Sequence, residues 1–513
     1  MDLYKPTHIV LLSSPGLGHL MPIIELAKRF QIHHNFKLTI LAITSQTSHT
    51  ESHILKSATN PSLYNIIQIP SPNISSLLPV SATVCTRIFL TMRHSIPSIK
   101  SALTNLTLPP SALIVDIFGT EALPLALELN IPRFIYVASH AWFLSLYVYS
   151  PVLDKQIQGP YIEQKEPLKI PGCKSVQPND LVDPMLDRYN LEYKEYLTVA
   201  KNFSKSDAIL VNTWDELQHR ELKALNDGDG ELSSLLKVPV FAVGPLVRQA
   251  ESEIGQASES VIQWLDKQPK ESVVYVSFGS GGTLSNEQMN ELAFGLELSE
   301  QRFVWVVRAC ASTTEAVDAA FFTTGSGGDG FGDELDDQIG KHLPEGFVER
   351  IKNKNVGLFL HEWAPQVTIL KHPSIGGFVS HCGWGSVLES LTNGVPIIAW
   401  PLYAEQRMNA ALLVEELGVA VRTVVSPGKN VVEREEIASL VRKVILVDQN
   451  GKRNHVRERV KEVRVSAEKA LLQGGSSYNA LSHVAKIINK QDFVCVSKNM
   501  DTDGDDIKDR KNQ

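Results

Sequence analysis

The sequence is poor in cysteine, and this scarcity restricts the kinds of protein it can be. Its 513 residues contain five cysteines, which stand far apart and form no CxxC pair: Cys85, Cys173, Cys310, Cys382 and Cys495. An odd, scattered set suits a reducing compartment and argues against a disulfide framework or a zinc site. We therefore expect a fold held together by apolar cores, with no bound metal.

The sequence also lacks a long apolar run and an excess of basic residues. No apolar stretch approaches the roughly 18 residues that span a bilayer, and HIVLLSSPG, broken by Pro15, is too short for the core of a signal peptide. The formal net charge of −8 indicates no basic face for nucleic acid. We expect a cytoplasmic monomer with no membrane insertion and no nucleic-acid partner.

Two familiar nucleotide-binding motifs are missing. No GxxxxGK[ST] occurs, which disfavours a P-loop NTPase. The turn GLGHLMP lacks the third glycine of GxGxxG, and the strand after it ends in Thr44 where a dinucleotide-binding protein has an acidic residue for a ribose. A nicotinamide oxidoreductase is therefore disfavoured too.

Short β-prone runs alternate with helical stretches along the whole chain, and this pattern predicts an α/β fold with parallel sheets. A chain of this length exceeds what one hydrophobic core usually serves. The hydrophobic periodicity is lost over residues 244–260, where we place a linker. We predict two Rossmann-like domains, over residues 1–243 and 261–475, that face a cleft into which the carboxyl ends of their strands point.

The most informative stretch is residues 363–406, WAPQVTILKHPSIGGFVSHCGWGSVLESLTNGVPIIAWPLYAEQ. Within it, GGFVSHC reads as a strand and GWGSVLESL as the start of a helix. A helix that begins directly after a strand presents unpaired backbone N–H groups and roughly half a positive charge. A diphosphate fits such a site.

This stretch resembles the 44-residue signature of plant UDP-dependent glycosyltransferases of secondary metabolism (family 1, GT-B fold). The segments LVDPMLDR and FFTTGSGG make the chain most similar to the branch that glucosylates phenylpropanoids, monolignols and hydroquinone. The resemblance implies a helix over residues 476–490 that braces the N-terminal domain. Residues 491–513 are expected to be a disordered tail, and the Gly- and Asp-rich residues 311–340 a long mobile loop that is either simply disordered or covers the acceptor cleft.

The resemblance also implies residue roles. Trp363 would stack on uracil, Gln366 and Glu389 would hold the ribose, His381 and Ser386 would contact the phosphates, and Glu405 and Gln406 would hold the sugar. The full donor-binding set that we predict is Ser277, Trp363, Ala364, Gln366, His381, Trp384, Gly385, Ser386, Glu389, Glu405 and Gln406. The chain departs from the family pattern HCGWNS at Gly385, so a side-chain amide near the phosphates is missing.

His19 follows a glycine turn at the start of a helix, and in the family this histidine is the general base. An imidazole with a pKa of about 6.5 can accept a proton from a hydroxyl group near neutral pH. Asp116 ends the strand SALIVDIF and is the predicted partner that orients the imidazole. Three alternatives stay open: Asp116 caps a helix, Thr120 does so instead, or Glu121 is the relevant carboxylate.

These residues predict transfer of glucose from UDP-glucose, with inversion, to a small phenolic acceptor such as a monolignol or a flavonoid, without a cofactor. Gln406 favours glucose because the family pairs Gln at this position with glucose and His with galactose. The acceptor pocket is predicted to involve Trp142, Phe143, Tyr147, Met185 and Tyr189, although core packing explains these side chains equally well. The alternative is a catalytically weak nucleotide-sugar-binding regulatory protein, which the Gly385 departure makes conceivable.

Overall fold

The computed structural model describes residues 6–44, 55, 63–79, 82–248, 256–308, 343–361, 364–424, 431–446 and 455–489. Trp363, the predicted loop over residues 311–340, the predicted tail over residues 491–513 and part of the predicted linker lie outside the described residues. Among the described residues, no helix is long and apolar enough to pass through a bilayer.

The first half of the chain builds a parallel sheet. Its strand order is β3-β2-β1-β4-β5-β6-β7. The strands are β1 His8–Ser13, β2 Lys37–Thr44, β3 Asn65–Pro70, β4 Ala112–Asp116, β5 Arg133–Val137, β6 Ala208–Val211 and β7 Val240–Ala242. They are mostly buried, as expected for strands with helices on both faces.

The second half builds another parallel sheet, with strand order β10-β9-β8-β11-β12-β13. The strands are β8 Val273–Ser277, β9 Arg302–Val307, β10 Gly357–His361, β11 Ile375–Ser380, β12 Ile397–Ala399 and β13 Ala420–Arg422. The predicted α/β class with two Rossmann-like sheets is therefore confirmed.

Helices cover both sheets. Those of the first half are α1 Leu17–His34, α2 Val84–Thr104, α3 Leu123–Glu128, α4 Ala141–Gln156, α5 Leu191–Asn202, α6 Asp215–Asn226 and α7 Glu231–Leu236. Those of the second half are α8 Gln256–Leu265, α9 Asn286–Ser299, α10 Phe347–Lys354, α11 Gln366–Lys371, α12 Trp384–Asn393, α13 Gln406–Ala411, α14 Arg434–Ile445, α15 His455–Leu471 and α16 Ser476–Asn489.

The last described helix returns to the first sheet. Apolar residues of α16, among them Leu481 and Val484, are buried in one cluster with Ile9 and Leu11 of β1 and Ile40 of β2. The described chain therefore ends against the sheet with which it begins.

The strand orders decide where a site can form. In the first sheet the order reverses between β1 and β4, and in the second sheet it reverses between β8 and β11. A crevice opens at such a reversal, beyond the carboxyl ends of the two adjacent strands. Each sheet therefore contributes one crevice.

Candidate active site between the two sheets

The two crevices open into one cavity of ≈ 1220 Å³. Its lining includes every predicted catalytic and donor-binding residue that the structure describes: His19, Asp116, Ser277, Ala364, Gln366, His381, Trp384, Gly385, Ser386, Glu389, Glu405 and Gln406. Residues that are up to 387 positions apart in the sequence thus meet because strand ends from both sheets face each other.

His19 and Asp116 lie at the crevice of the first sheet. Gly16, at φ 104°, makes the turn that follows β1, and α1 begins at Leu17, so His19 stands in the first helical turn. Asp116 ends the neighbouring strand β4. The His19 Nδ1 and Asp116 Oδ2 atoms are 3.8 Å apart, which is ion-pair distance and longer than a hydrogen bond.

The Asp116 carboxylate performs two tasks. Its Oδ1 accepts a hydrogen bond of 3.0 Å from the Gly119 N–H and so caps the 3₁₀ turn that follows β4. Its Oδ2 accepts from the Ser14 N–H at 2.8 Å and from the Ser14 hydroxyl, and the same atom faces His19. The capping role and the role beside His19 therefore coexist in one side chain.

The two other candidates from the sequence are engaged elsewhere. The Thr120 hydroxyl accepts a hydrogen bond of 3.2 Å from the Asn202 amide. Glu121 pairs with the Arg93 guanidinium, with 2.5 Å between Oε1 and Nη2. Asp116 is thus the carboxylate that stands beside His19.

His19 is suited to accept a proton. Burial lowers its pKa from the ordinary histidine value, and the charge of Asp116 opposes part of that decrease. The position at a helix N-terminus also disfavours the imidazolium. The imidazole is therefore neutral near pH 7, and its remaining ring contact is an edge-to-face arrangement with Phe118 at 5.1 Å between centroids.

His381 and Ser277 lie at the crevice of the second sheet. Ser277 pairs in register with Ser380, the last residue of β11, and His381 follows directly. A Cβ atom on Gly279 or on Gly383 would stand 2.5 Å from the His381 ring, so both glycines are needed to admit the imidazole. Burial, followed by the charge of Arg308, lowers the pKa of His381 to about 4.

The start of α12 adds backbone donors beside His381. Its N-cap is Gly383, whose lack of a side chain leaves the first N–H groups without a side-chain cap. Among the described residues, the buried Nδ1 atom of His381 has no hydrogen-bond partner. A neutral histidine, a helix N-terminus and the nearby Ser386 hydroxyl form a suitable pocket for an anion.

Gln366 and Glu389 form a connected pair on the same side of the cavity. The Gln366 amide donates to Glu389 Oε2 at 2.7 Å and to the Ser386 hydroxyl at 2.9 Å. Ala364, two residues before Gln366, lies on the cavity wall. The carboxylate of Glu389 can accept hydrogen bonds from adjacent hydroxyl groups.

Glu405 and Gln406 lie where α13 begins. The Gln406 carbonyl Oε1 accepts from the N–H groups of Leu402 and Tyr403 at 2.9 and 3.1 Å, which fixes the orientation of its amide. Burial raises the pKa of Glu405, and Asp183 contributes in the same direction.

Trp384 and Gly385 differ in how they line the cavity. The Trp384 indole N–H donates a hydrogen bond of 2.8 Å to the Asn212 carbonyl oxygen, so it joins the two halves of the chain. A Cβ atom on Gly385 would have no heavy atom within 4 Å. The missing side chain at this position therefore leaves open space.

Aromatic side chains line the cavity near His19. Phe118 packs on Phe89 with 4.8 Å between ring centroids, and Tyr147 stacks on Tyr196 at 3.9 Å. These four and Phe143 all line the cavity. Phe143 and Tyr147 thus lie on the cavity wall while also packing in the apolar core, and their contact with an acceptor stays a prediction.

The other three predicted pocket residues lie elsewhere. Trp142 is buried, and its indole N–H donates to the Lys174 carbonyl oxygen at 2.9 Å. Met185 is fully buried in the core, and Tyr189 is 80% exposed. Core packing is therefore the correct reading of Trp142 and Met185, and Tyr189 is a surface residue.

Known proteins are similar to this chain in sequence and in fold. Residues 338–457 match the family described as UDP-glucoronosyl and UDP-glucosyl transferase. The chain is 54% identical to anthocyanidin 3-O-glucosyltransferase 5 of Manihot esculenta over 481 residues, which cover 94% of this chain and 95% of the relative. This chain belongs to the plant family 1 UDP-glycosyltransferases.

Other members of the family agree with this assignment. The hydroquinone glucosyltransferase of Rauvolfia serpentina is 40% identical over 481 residues, which cover 93% of this chain and 97% of the relative. The structure of Phytolacca americana UGT2 complexed with UDP-2fluoro-glucose and pterostilbene superposes with a TM-score of 0.80 at 38% identity. It covers 94% of this glycosyltransferase and 99% of the solved chain.

Sequence reasoning missed several residues of the glycosyltransferase site. Ser14 holds Asp116, and its place directly after β1 was an available signal. Ser139 follows β5 and lines the cavity, and its buried hydroxyl has no hydrogen-bond partner within the described part of the chain. Asp183 and Glu192 also line the cavity, but no periodicity in their segments indicated that they would.

Proposed function

We propose that this glycosyltransferase moves glucose from UDP-glucose to a hydroxyl group of a small phenolic acceptor and produces a β-glucoside. One observation carries the proposal: a neutral histidine from the first sheet and an anion pocket from the second open into the same cavity. Only such a cavity lets a base, an acceptor and an activated sugar meet in one complex.

The reaction is a single displacement. The acceptor O–H gives its proton to the His19 imidazole, and its oxygen forms a bond to the anomeric carbon. The bond between that carbon and the β-phosphate oxygen breaks, and the electron pair leaves with UDP. Attack from the side opposite to the leaving group inverts the α-linkage to β.

Other side chains stabilise the charges that form during the reaction. Asp116 holds the imidazole and stabilises the imidazolium that forms. His381, Ser386 and the N-terminus of α12 donate hydrogen bonds to the diphosphate as negative charge grows on it. These donors, together with the loop at Gly279, supply the charge stabilisation that a metal ion provides in other transferases, so we propose a reaction without a metal.

The donor is bound in three parts. Glu389 and Gln366 hold the ribose hydroxyls, since their own hydrogen bond places both polar groups on one wall. Glu405 and Gln406 hold the hexose at the start of α13. We propose glucose as the hexose, because Gln406 is the residue that the family pairs with glucose.

The acceptor lies on the aromatic side of the cavity. Phe118 lies against the His19 ring, and Phe143 and the Tyr147–Tyr196 stack line the same cavity, which suits a flat aromatic molecule. Relatives are named for anthocyanidin and hydroquinone, which are both phenols. We propose acceptors of this class, with phenylpropanoids and flavonoids included.

The test is transfer from UDP-glucose and from UDP-galactose to a panel of phenylpropanoids, flavonols and hydroquinone, with product anomers assigned by NMR. We expect β-glucosides and a preference for UDP-glucose. Replacing His19 with Ala should lower turnover by roughly 10²- to 10⁴-fold. His219→Ala is the control, because that histidine is 71% exposed and lies outside the cavity lining.

Near wild-type turnover in His19→Ala would refute the assignment of the base, and α-linked products would refute the displacement. Tight binding of UDP-glucose without transfer to any acceptor would instead favour the regulatory binding protein.

A further inference from the structure

The loop that carries Glu405 is held by the opposite half of the molecule. It connects β12 to α13, and its neighbour across the interface is the segment LVDPMLDR, residues 181–188. This segment belongs to the half that carries His19. Sugar-side residues and acceptor-side residues are therefore joined by direct bonds.

Asp183 forms hydrogen bonds with the main chain of Ala404, the residue directly before Glu405. Its N–H donates to the Ala404 carbonyl oxygen at 3.0 Å, and its Oδ2 accepts from the Ala404 N–H at 2.6 Å. The Arg407 guanidinium donates to the other carboxylate oxygen. Ala404 has a φ of 57°, a left-handed conformation that is unfavourable for a residue with a Cβ and persists where surrounding bonds impose it.

His140 reaches Glu405 by a second route. Its Nδ1 accepts from the Phe143 N–H at 3.1 Å, so the ring proton is assigned to Nε2, which donates to Asn409 Oδ1 at 2.8 Å. The Asn409 amide then donates to Glu405 Oε1 at 3.3 Å and to the Cys382 carbonyl oxygen at 2.8 Å. Every polar atom of the His140 ring and the Asn409 side chain is used in this chain of bonds.

We propose that Asp183 and His140 are positioning residues that set the place of Glu405 and thereby the affinity for the donor sugar. The inference rests on the proposed function, in which Glu405 holds the hexose. Asp183 acts through the backbone of Ala404, and His140 acts through Asn409. The acceptor half of the enzyme therefore helps to hold the sugar subsite, whereas the residues proposed to hold the ribose and the diphosphate, among them Gln366 and His381, lie in the other half.

The chain offers a matched control. Asp180 pairs with Arg422 at 2.6 Å across the same interface, and the two arginines, Arg422 and Arg407, have equal side-chain exposures of 25%. Asp180 does not line the cavity and makes no described bond to residues 403–409. The Asp180 charge also attracts Arg407, so Asp180→Ala weakens the interface while the hydrogen bonds of Asp183 to Ala404 and Arg407 remain.

The experiment compares Asp183→Ala, His140→Asn and Asp180→Ala by donor kinetics and by inhibition with UDP. Asn keeps an acceptor for the Phe143 N–H but is shorter than His and does not reach Asn409. We expect kcat/KM for UDP-glucose to fall roughly 10- to 100-fold in both positioning variants, because small misplacements of contact groups have costs of this size. The inhibition constant of UDP should change less than kcat/KM for UDP-glucose does, and Asp180→Ala should reduce kcat/KM for UDP-glucose less than either positioning variant.

Equal falls in kcat/KM for UDP-glucose in Asp183→Ala and Asp180→Ala would overturn the proposal. An equal weakening of UDP and UDP-glucose binding in the positioning variants would overturn it too. A fall in kcat/KM for UDP-glucose in Asp183→Ala, without a fall in His140→Asn, would also overturn the proposal. Asp183 lines the cavity and would then act by direct contact with the substrate. Thermal unfolding checks each variant, and His140→Asn decides the outcome if Asp183→Ala does not fold. Failure of the proposed function would differ, since the unmodified enzyme would then transfer no glucose.

Discussion

Replacing Gly385 with Asn should strengthen the binding of UDP-glucose. The position lies in the first turn of α12, lines the cavity and faces open space where a Cβ would be. An Asn side chain therefore enters without displacing a neighbour, and we expect its amide to reach the anion pocket that His381 and Ser386 line. The substitution restores the residue that the family pattern HCGWNS has here.

The magnitude follows from two terms. A hydrogen bond to a charged group contributes about 1.5–3 kcal/mol, and ordering one side chain costs about 0.5–1.5 kcal/mol. The net gain is roughly 0–2.5 kcal/mol, and its mid-range value of about 1.3 kcal/mol corresponds to a decrease of about 8-fold in the dissociation constant of UDP-glucose.

The assay is isothermal titration with UDP and UDP-glucose, together with the KM for the donor, on Gly385→Asn and Gly385→Ala. Ala is the matched control because it removes the glycine penalty in a helix, up to about 1 kcal/mol, without adding an amide. Both variants should unfold at a higher temperature than the parent, but only Asn should bind the donor more tightly.

Two results would contradict this reasoning. An equal gain in affinity from Ala would assign the effect to the backbone of α12. Weaker binding in the Asn variant would show that the space at Gly385 is required by the donor itself.

Two further predictions concern the base and the ribose pair. Asp116→Asn should shift the acid limb of the pH profile of kcat/KM to lower pH, because the charge of Asp116 raises the pKa of His19 and its removal lowers that pKa further. The plateau of kcat/KM should fall by roughly 10- to 10²-fold. An acid limb at the same pH in both proteins would argue against the pairing of Asp116 with His19. Glu389→Gln should weaken the equilibrium binding of UDP and of UDP-glucose by about 10- to 100-fold each, because hydrogen bonds from the ribose hydroxyls to a carboxylate are lost. Unchanged binding of UDP would show that other residues hold the ribose.

The fold could be predicted largely from local patterns. Runs such as HIVLLSS and VVYVSFGS are apolar on both faces, as buried parallel strands require, and each became a strand. β7 could not be predicted in this way, because Val240–Ala242 has only three residues and no distinguishing periodicity. The π-helical turn Leu412–Glu416, which follows α13, has the composition of an ordinary helix and could not be recognised.

Some residues of the candidate site could also be predicted from local patterns, and others could not. Residues at strand ends, such as His19, Asp116 and His381, follow from the rule that ligands bind beyond the carboxyl ends of parallel strands. Contacts across the interface do not, because Asp183 and Ala404 are 221 residues apart and only the packing of the two halves brings them together. Trp142 and Tyr147 lie five residues apart on α4, yet one is core and the other lines the cavity.

The return of α16 to the first sheet has a consequence for biosynthesis. Ile9, Leu11 and Ile40 belong to strands made early in translation, whereas Leu481 and Val484, which share their apolar cluster, are made hundreds of residues later. Residues of α1 such as Ile23 and Phe30 already cover part of that cluster, but until the ribosome has synthesised α16 the rest is exposed to water and accessible to chaperones or to aggregation. Premature termination before residue 476 would thus damage the half of the molecule that was translated first.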